Sequence, residues 1–263
     1  MENLVIFDYS GTLSLEAVRF GRPDRLAAAL KRSGLGGLGI DAATYWRHIV
    51  APTWETASTA GKGFTSLMVR QIRTRLAPAA SDEAVAEAAG RFLQAYLQSG
   101  FIDPGWKAVL ARVLNHSCTQ AVVATDHYLE ATGAIIGHLG DLGLPARPLT
   151  PAPAAAGQAF IVANSADIGY HKNDPLFWRT LKTRLGKRPP AAIALVEDFG
   201  ANETDQSGYG ARHAVASRER ETVAALSGVF DAPVTIVSLA AGPSGIPDIE
   251  TASRRIENFL AAH

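Results

Sequence analysis

Five short apolar runs are spread along the chain, at 4–7, 121–124, 160–163, 192–196 and 234–239. Each is continuous rather than alternating, as expected of strands buried on both faces. From the second run onward they are separated by helical patterns, which predicts a parallel sheet. The stretch between the first two runs differs, because 15–100 carries helix signals and no strand. Ser81, Asp82 and Glu83 open a helix whose Val85, Ala88, Ala89, Phe92, Leu93, Tyr96 and Leu97 recur at helical spacing before Gly100 ends it. Asp24 and Asp41 are expected to cap helices, and 148–156, rich in Ala and Pro, to form a surface loop. Gly34, Gly36 and Gly39 match G-x-G-x-x-G, yet they follow a helical pattern at 25–32 rather than a strand, so they read as a helix stop and loop. The predicted fold class is α/β: a Rossmann-like parallel-sheet core from 1–14 and 101–263, with an all-helical cap inserted at 15–100.

Composition narrows the function classes. With 263 residues, 47% hydrophobic and 19% charged, the chain can bury a full core plus one insertion. Basic and acidic residues balance at 25 each, so no overall field favours a nucleic acid or an anionic membrane. The distribution is uneven: 15–100 holds 11 Lys and Arg against 7 Asp and Glu, leaving 14 against 18 elsewhere. A basic lid over an acidic floor would suit a small anionic substrate bridged by a cation. Cys118 is the single cysteine, which excludes an internal disulfide and fits a reducing cytoplasm. The opening apolar run lacks a basic leader and stops at Asp8, unlike a signal peptide or membrane span.

Chemistry-bearing residues fall at the carboxyl ends of the predicted strands, where open α/β sheets carry their sites. The first run leads into Asp8, Tyr9, Ser10, Gly11, Thr12 and Leu13. The second leads into Thr125 and Asp126, and the fourth into Glu197 and Asp198. Adjacent acids at a strand end are costly without a cation. Lys172 precedes Asn173, Asp174 and a helix begun by Pro175, from which it could reach back over the same edge. His116, His127 and His138 form no metal-ligand spacing and read as isolated polar histidines.

Acid, hydroxyl, lysine, acid, in that order, resembles the haloacid dehalogenase-like hydrolase superfamily, in the branch with a helical cap after the first strand. The resemblance spans nearly the whole chain and is specific at four places: Asp8-x-x-Gly11-Thr12-Leu13, Thr125, Lys172 with Asp174 and Pro175, and Asp198 with Glu203. It implies a magnesium-dependent hydrolase, most simply a phosphatase, with Asp8 as nucleophile. By the same resemblance Asp8, the Ser10 main chain, Asp198 and Glu203 form the Mg²⁺ shell. Gly11, Thr12, Thr125, Asp126 and Lys172 then surround the phosphoryl group. Asp205 competes with Glu203 for the acidic position.

Ser10 departs from the pattern, since phosphatases of the family carry a second aspartate there as general acid and base. That contribution is typically worth about 10² to 10⁴ in rate. Carbon–halogen cleavage, which needs neither metal nor acid, is a second expectation. Phosphonatase chemistry would need a cap lysine, for which Lys31 and Lys62 are the candidates, and a binding protein retaining the pocket is a further alternative. Lys62, between Gly61 and Gly63, is also the candidate cap contact to substrate.

Overall fold

The computed structural model describes residues 2–76, 79–151, 158–186, 189–203, 212–239 and 248–263. Six strands form one parallel sheet: β1 Asn3–Phe7, β2 Thr119–Thr125, β3 Ala146–Pro148, β4 Phe160–Asn164, β5 Ile193–Glu197 and β6 Val234–Ser238. Their order across the sheet is β3-β4-β2-β1-β5-β6, so the winding reverses at β1, where open sheets place their crevice. All five predicted runs are strands. The α/β fold is therefore a doubly wound parallel sheet.

Alternate residues of the central strands feed opposite layers, as a pleat of period two requires. Val5 and Phe7 pack with Val123, Val196, Trp106 and the helices Lys107–Asn115, Ala131–Asp141 and Ile249–Ala262. Leu4 and Ile6 pack with Val122, Leu195, Trp178 and the helices Pro175–Leu185 and Arg212–Phe230. Every residue of β1, β4 and β5 is buried, in keeping with continuous apolar runs.

The edges differ from the sequence expectation. β6 was expected to be buried, yet only Val237 is, because nothing pairs with its outer side among the described residues. Pro148, assigned to a loop, instead ends β3 at the opposite edge, where a residue lacking an N–H is tolerated. Asp24 lies in the first turn of the Pro23–Ser33 helix rather than at its cap, since Pro23 starts the helix after Arg22. Asp41 and Ser81 do cap, accepting from the amides of Thr44 and Ala84.

Between β1 and β2 the described residues from Leu15 to Ser99 form helices and turns, with π-helical stretches at Tyr45–Val50 and Ile72–Leu76. Phe20, Leu30, Tyr45, Ile49, Phe64, Met68, Phe92 and Leu93 give this layer a hydrophobic cluster of its own. The glycine-rich stretch stops a helix, with Gly34 left-handed at φ 97°. The sheet side enters the helical layer through Tyr128, whose ring stacks on Phe64 at 3.9 Å between centroids. Among the described residues, no helix is long and apolar enough to cross a membrane.

Candidate active site

Register assembles the site. Phe7 lies opposite Val196 on β5, and the Asp8 amide donates to the Val196 carbonyl at 2.9 Å, so Asp8, Glu197 and Asp198 leave the sheet side by side. All three carboxylates are buried, and one oxygen from each lies within 4.8 Å of the others. Across from them, Lys172 Nζ donates to Asp8 Oδ1 at 2.6 Å and to Glu197 Oε2 at 2.7 Å.

The chain after β1 folds tightly around this group. Gly11 is left-handed at φ 79°, and its amide donates to the Ser14 carbonyl while the Ser14 amide donates to Tyr9. A Cβ on Gly11 would contact the Asp198 carboxylate, lying 2.8 Å from its Cγ. Glycine is therefore required both by conformation and by the approach of Asp198. The Thr12 hydroxyl accepts from the Asp198 amide at 3.1 Å, tying the two strand ends together.

Asp198 is oriented by its own turn. The Gly200 amide donates to Oδ1 at 3.1 Å and the Asn202 amide to Oδ2 at 3.0 Å, and Phe199 adopts a left-handed φ of 53° to allow this. The Asn202 side chain joins the Gly11 and Leu239 carbonyls, each at 2.7 Å. Lys172 is clamped through its backbone: its amide donates to Asp126 Oδ1 at 3.0 Å and its carbonyl accepts from Trp178 Nε1 at 2.6 Å. Asp174 caps the helix begun by Pro175, accepting from the Leu176 amide at 2.8 Å. Asp126 thus faces the Lys172 backbone, and Thr125 is buried at the end of β2.

Electrostatically the site holds more negative charge than its lysine offsets. Burial alone would lower the Lys172 pKa, but Asp8, Glu197 and Asp126 outweigh it and hold the ammonium charged well above its ordinary range. The surplus falls on the acids. Burial, then Asp8, pushes Glu197 up, and the same two causes push Asp198 up to about 7. Glu203 is pushed up to about 8 by burial, then by Asp198 and Asp8. It lies near the oxygen cluster without belonging to it; Glu197 holds that place. Asp205 is outside the described residues.

Glu197 was visible only as one acid of a pair. Its pairing with Lys172 follows from the register of β5 and had no signal of its own in the sequence. Two other neighbours of the site come from outside the strand-end motifs. One is Tyr96, on the Asp82–Ser99 helix, whose ionisation is suppressed by burial and then by other charges, Glu203 among them. Its hydroxyl meets His127 Nε2 at 3.0 Å. Lys31 and Lys62 are both exposed.

No protein-family model and no curated protein matches this sequence. Among solved structures, the chain is similar to a 2-haloacid dehalogenase. That protein, from Pseudomonas syringae pv. Tomato DC3000, is 17% identical with a TM-score of 0.49, covering 80% of this chain and 84% of that one. At this distance the chemistry of the site has to be argued from its own residues.

Proposed function

We propose that the chain is a haloacid dehalogenase-like hydrolase in which Asp8 attacks the phosphorus of a small anionic substrate, with the helices of 15–100 acting as its cap. The observation that carries this reading is the buried group of Asp8, Glu197 and Asp198 against a single lysine. Two adjacent anions are tolerated in a dry site only around a cation. The donors are all carboxylate oxygens, which fit a hard divalent ion such as Mg²⁺. Asp8, Asp198 and Glu197 would hold it, and when bound it supplies positive charge against which an anionic substrate can approach.

This chain's own residues divide the remaining work. Lys172 holds Asp8 Oδ1 and so orients the carboxylate, leaving Oδ2 as the oxygen that lysine does not engage. The Gly200 and Asn202 amides keep Asp198 aimed at the same point. The ring of Tyr128 packs on Phe64 and Trp54 and so anchors the segment after β2 to the helical side. In line attack forms an Asp8–phosphorus bond as the ester bond breaks, and water then returns Asp8 as a carboxylate.

Ser10 favours a second reading. With no carboxyl at that position, carbon–halogen cleavage by Asp8 is chemically open, since halide leaves without a proton. The two are separated by assaying acyl phosphates, aryl phosphates and 2-haloacids with Mg²⁺ and with a chelator. Phosphate release that requires both Mg²⁺ and Asp8, and is lost in Asp8→Asn, is the expected result. Halide release surviving the chelator would transfer the assignment to dehalogenation, and inertness toward every substrate would favour a binding role.

A further inference from the structure

His171 stands directly before Lys172 and makes its contacts in the other layer. While the Lys172 ammonium reaches Asp8 and Glu197 at 2.6 and 2.7 Å, the His171 ring reaches the Ala51–Thr59 helix, where its Nε2 lies 2.7 Å from Ser58 Oγ. The direction of that bond is fixed. Ser58 has one hydroxyl hydrogen, and it goes to the Trp54 carbonyl at 2.6 Å, one turn back along the helix. Ser58 Oγ is therefore the acceptor and His171 Nε2–H the donor.

The row Ser58, His171, Glu55, with His171 Nδ1 3.7 Å from Glu55 Oε2, has the order of a nucleophilic triad. Ser58, however, is fully buried and its hydrogen is committed to the helix, so it is a tether and not a nucleophile. Glu55 is largely exposed and adds little. The tether is reinforced by the Trp54 ring, which lies within 13° of parallel to the imidazole at 6.1 Å between centroids. A Cβ on Gly169, just ahead of this loop, would lie 3.6 Å from the Thr59 carbonyl oxygen, so the end of the same helix passes over the chain there. From the sheet side, Asp126 and Trp178 hold the backbone of Lys172. The loop carrying the lysine is thus gripped from both layers.

A lysine side chain is a flexible four-carbon stem, so its aim depends on where its backbone is held. We propose that His171 is a positioning residue that, through Ser58, seats Lys172 against Asp8 and Glu197, so that the helical layer acts on the nucleophile through the lysine. The inference rests on the hydrolase reading above. With the tether made, Lys172 keeps Asp8 Oδ1 engaged and the carboxylate oriented for attack. With it broken, the loop retains its sheet-side bonds, loses its outer support, and the ammonium spends less time on Asp8.

The test compares His171→Ala, His171→Gln, Ser58→Ala and the double alanine variant with the parent, each shown to be folded by its melting curve. With an aryl phosphate and Mg²⁺, His171→Ala should lower kcat about 10- to 100-fold, the scale of a small misplacement of a reacting group, and leave KM within about threefold. His171→Gln, which keeps an N–H near the position of Nε2, should recover most of that loss. The double variant should be no slower than His171→Ala, because the two side chains act through one bond. An unchanged kcat in His171→Ala, a loss confined to KM, or losses that multiply in the double variant would overturn the inference. A second measurement needs no activity: reductive methylation read by peptide mass spectrometry, with exposed Lys62 as the internal reference. Lys172, buried in the parent, should label faster in His171→Ala and in Ser58→Ala. Labelling unchanged in both would overturn the tether whatever the activity, whereas absence of Asp8-dependent phosphate release in the parent would overturn the hydrolase reading.

Discussion

Gly11 shows how much a single residue has to satisfy. Its left-handed φ of 79° and the contact a Cβ would make with the Asp198 carboxylate are independent demands. Gly11→Ala should cost about 1–3 kcal/mol through backbone strain alone. It should also push Asp198 away from Asp8 and reduce phosphate release at least about tenfold. Urea unfolding and a steady-state assay check the two effects; a variant that is as stable and as active as the parent would show that Asp198 does not need this close approach. The glycine was readable beforehand because it lies in a strand–acid–turn pattern, and Asp8, Lys172 and Asp198 were readable for the same kind of reason. Each falls at a strand end or just before a Pro-started helix. Glu197 was harder. As a strand residue beside Asp198 it has no pattern of its own, and its value comes from sitting over Lys172, a contact spanning 25 positions of the chain.

At the scale of elements, the segment after β2 is one of the places where sheet and helical layer meet, beside the Ser58–His171 contact. In the sequence His127 reads as an isolated histidine and Tyr96 as one of an apolar helical stripe, and Val85, Ala88, Ala89, Phe92 and Leu93 of that stripe are buried as the spacing predicts. What the pattern could not carry was the meeting of two polar tips 31 residues apart at a partly buried seam. The strands were legible because their burial is continuous; the edge strands were less so because exposure on one side erases that signal. Burial of His127 has a consequence for stability. Its pKa is pushed down to about 4 by burial, below the ordinary value of 6.5, so between these values the unfolded chain binds a proton that the folded one refuses. This contribution is therefore present above pH 6.5 and lost as pH falls toward 4, by roughly 3 kcal/mol in all. His127→Gln carries no such group while keeping every neighbouring acid. The stability gap between parent and His127→Gln, measured by urea unfolding, should shrink from pH 7.5 to pH 4.5. A gap that stays constant would mean that the imidazole is solvated.

Over the whole molecule the formal charges cancel, yet Asp8, Glu197 and Asp198 gather at the carboxyl ends of β1 and β5, while 15–100 carries the opposite bias. Without a cation this gathering destabilises the fold in a pH-dependent way. Asp198 ordinarily titrates near 3.8 and is pushed up to about 7 by burial and then by Asp8. The folded state therefore holds a proton there that the unfolded chain has released. That stabilisation is full below about pH 4 and is lost as pH rises through 7, where the carboxylate ionises beside Asp8. A divalent cation would act in the same pH range with the opposite sign, since it binds the ionised carboxylates and displaces the proton. Mg²⁺ at a hundredfold excess over its Kd would add about 2.7 kcal/mol, a rise in Tm of roughly 5–10 °C for a chain of this size. The rise should be larger at pH 8 than at pH 6, because at pH 6 the ion competes with a proton. Asp198→Asn should abolish it, and the same variant should melt higher than the parent when no divalent ion is present, having lost one of the crowded charges. Differential scanning calorimetry across pH, with Mg²⁺ and with a chelator, reads all of these. If Mg²⁺ leaves Tm unchanged at every pH while Asp198→Asn still raises it, the crowded acids are real but serve no cation, and metal-free attack by Asp8 on carbon becomes the better account.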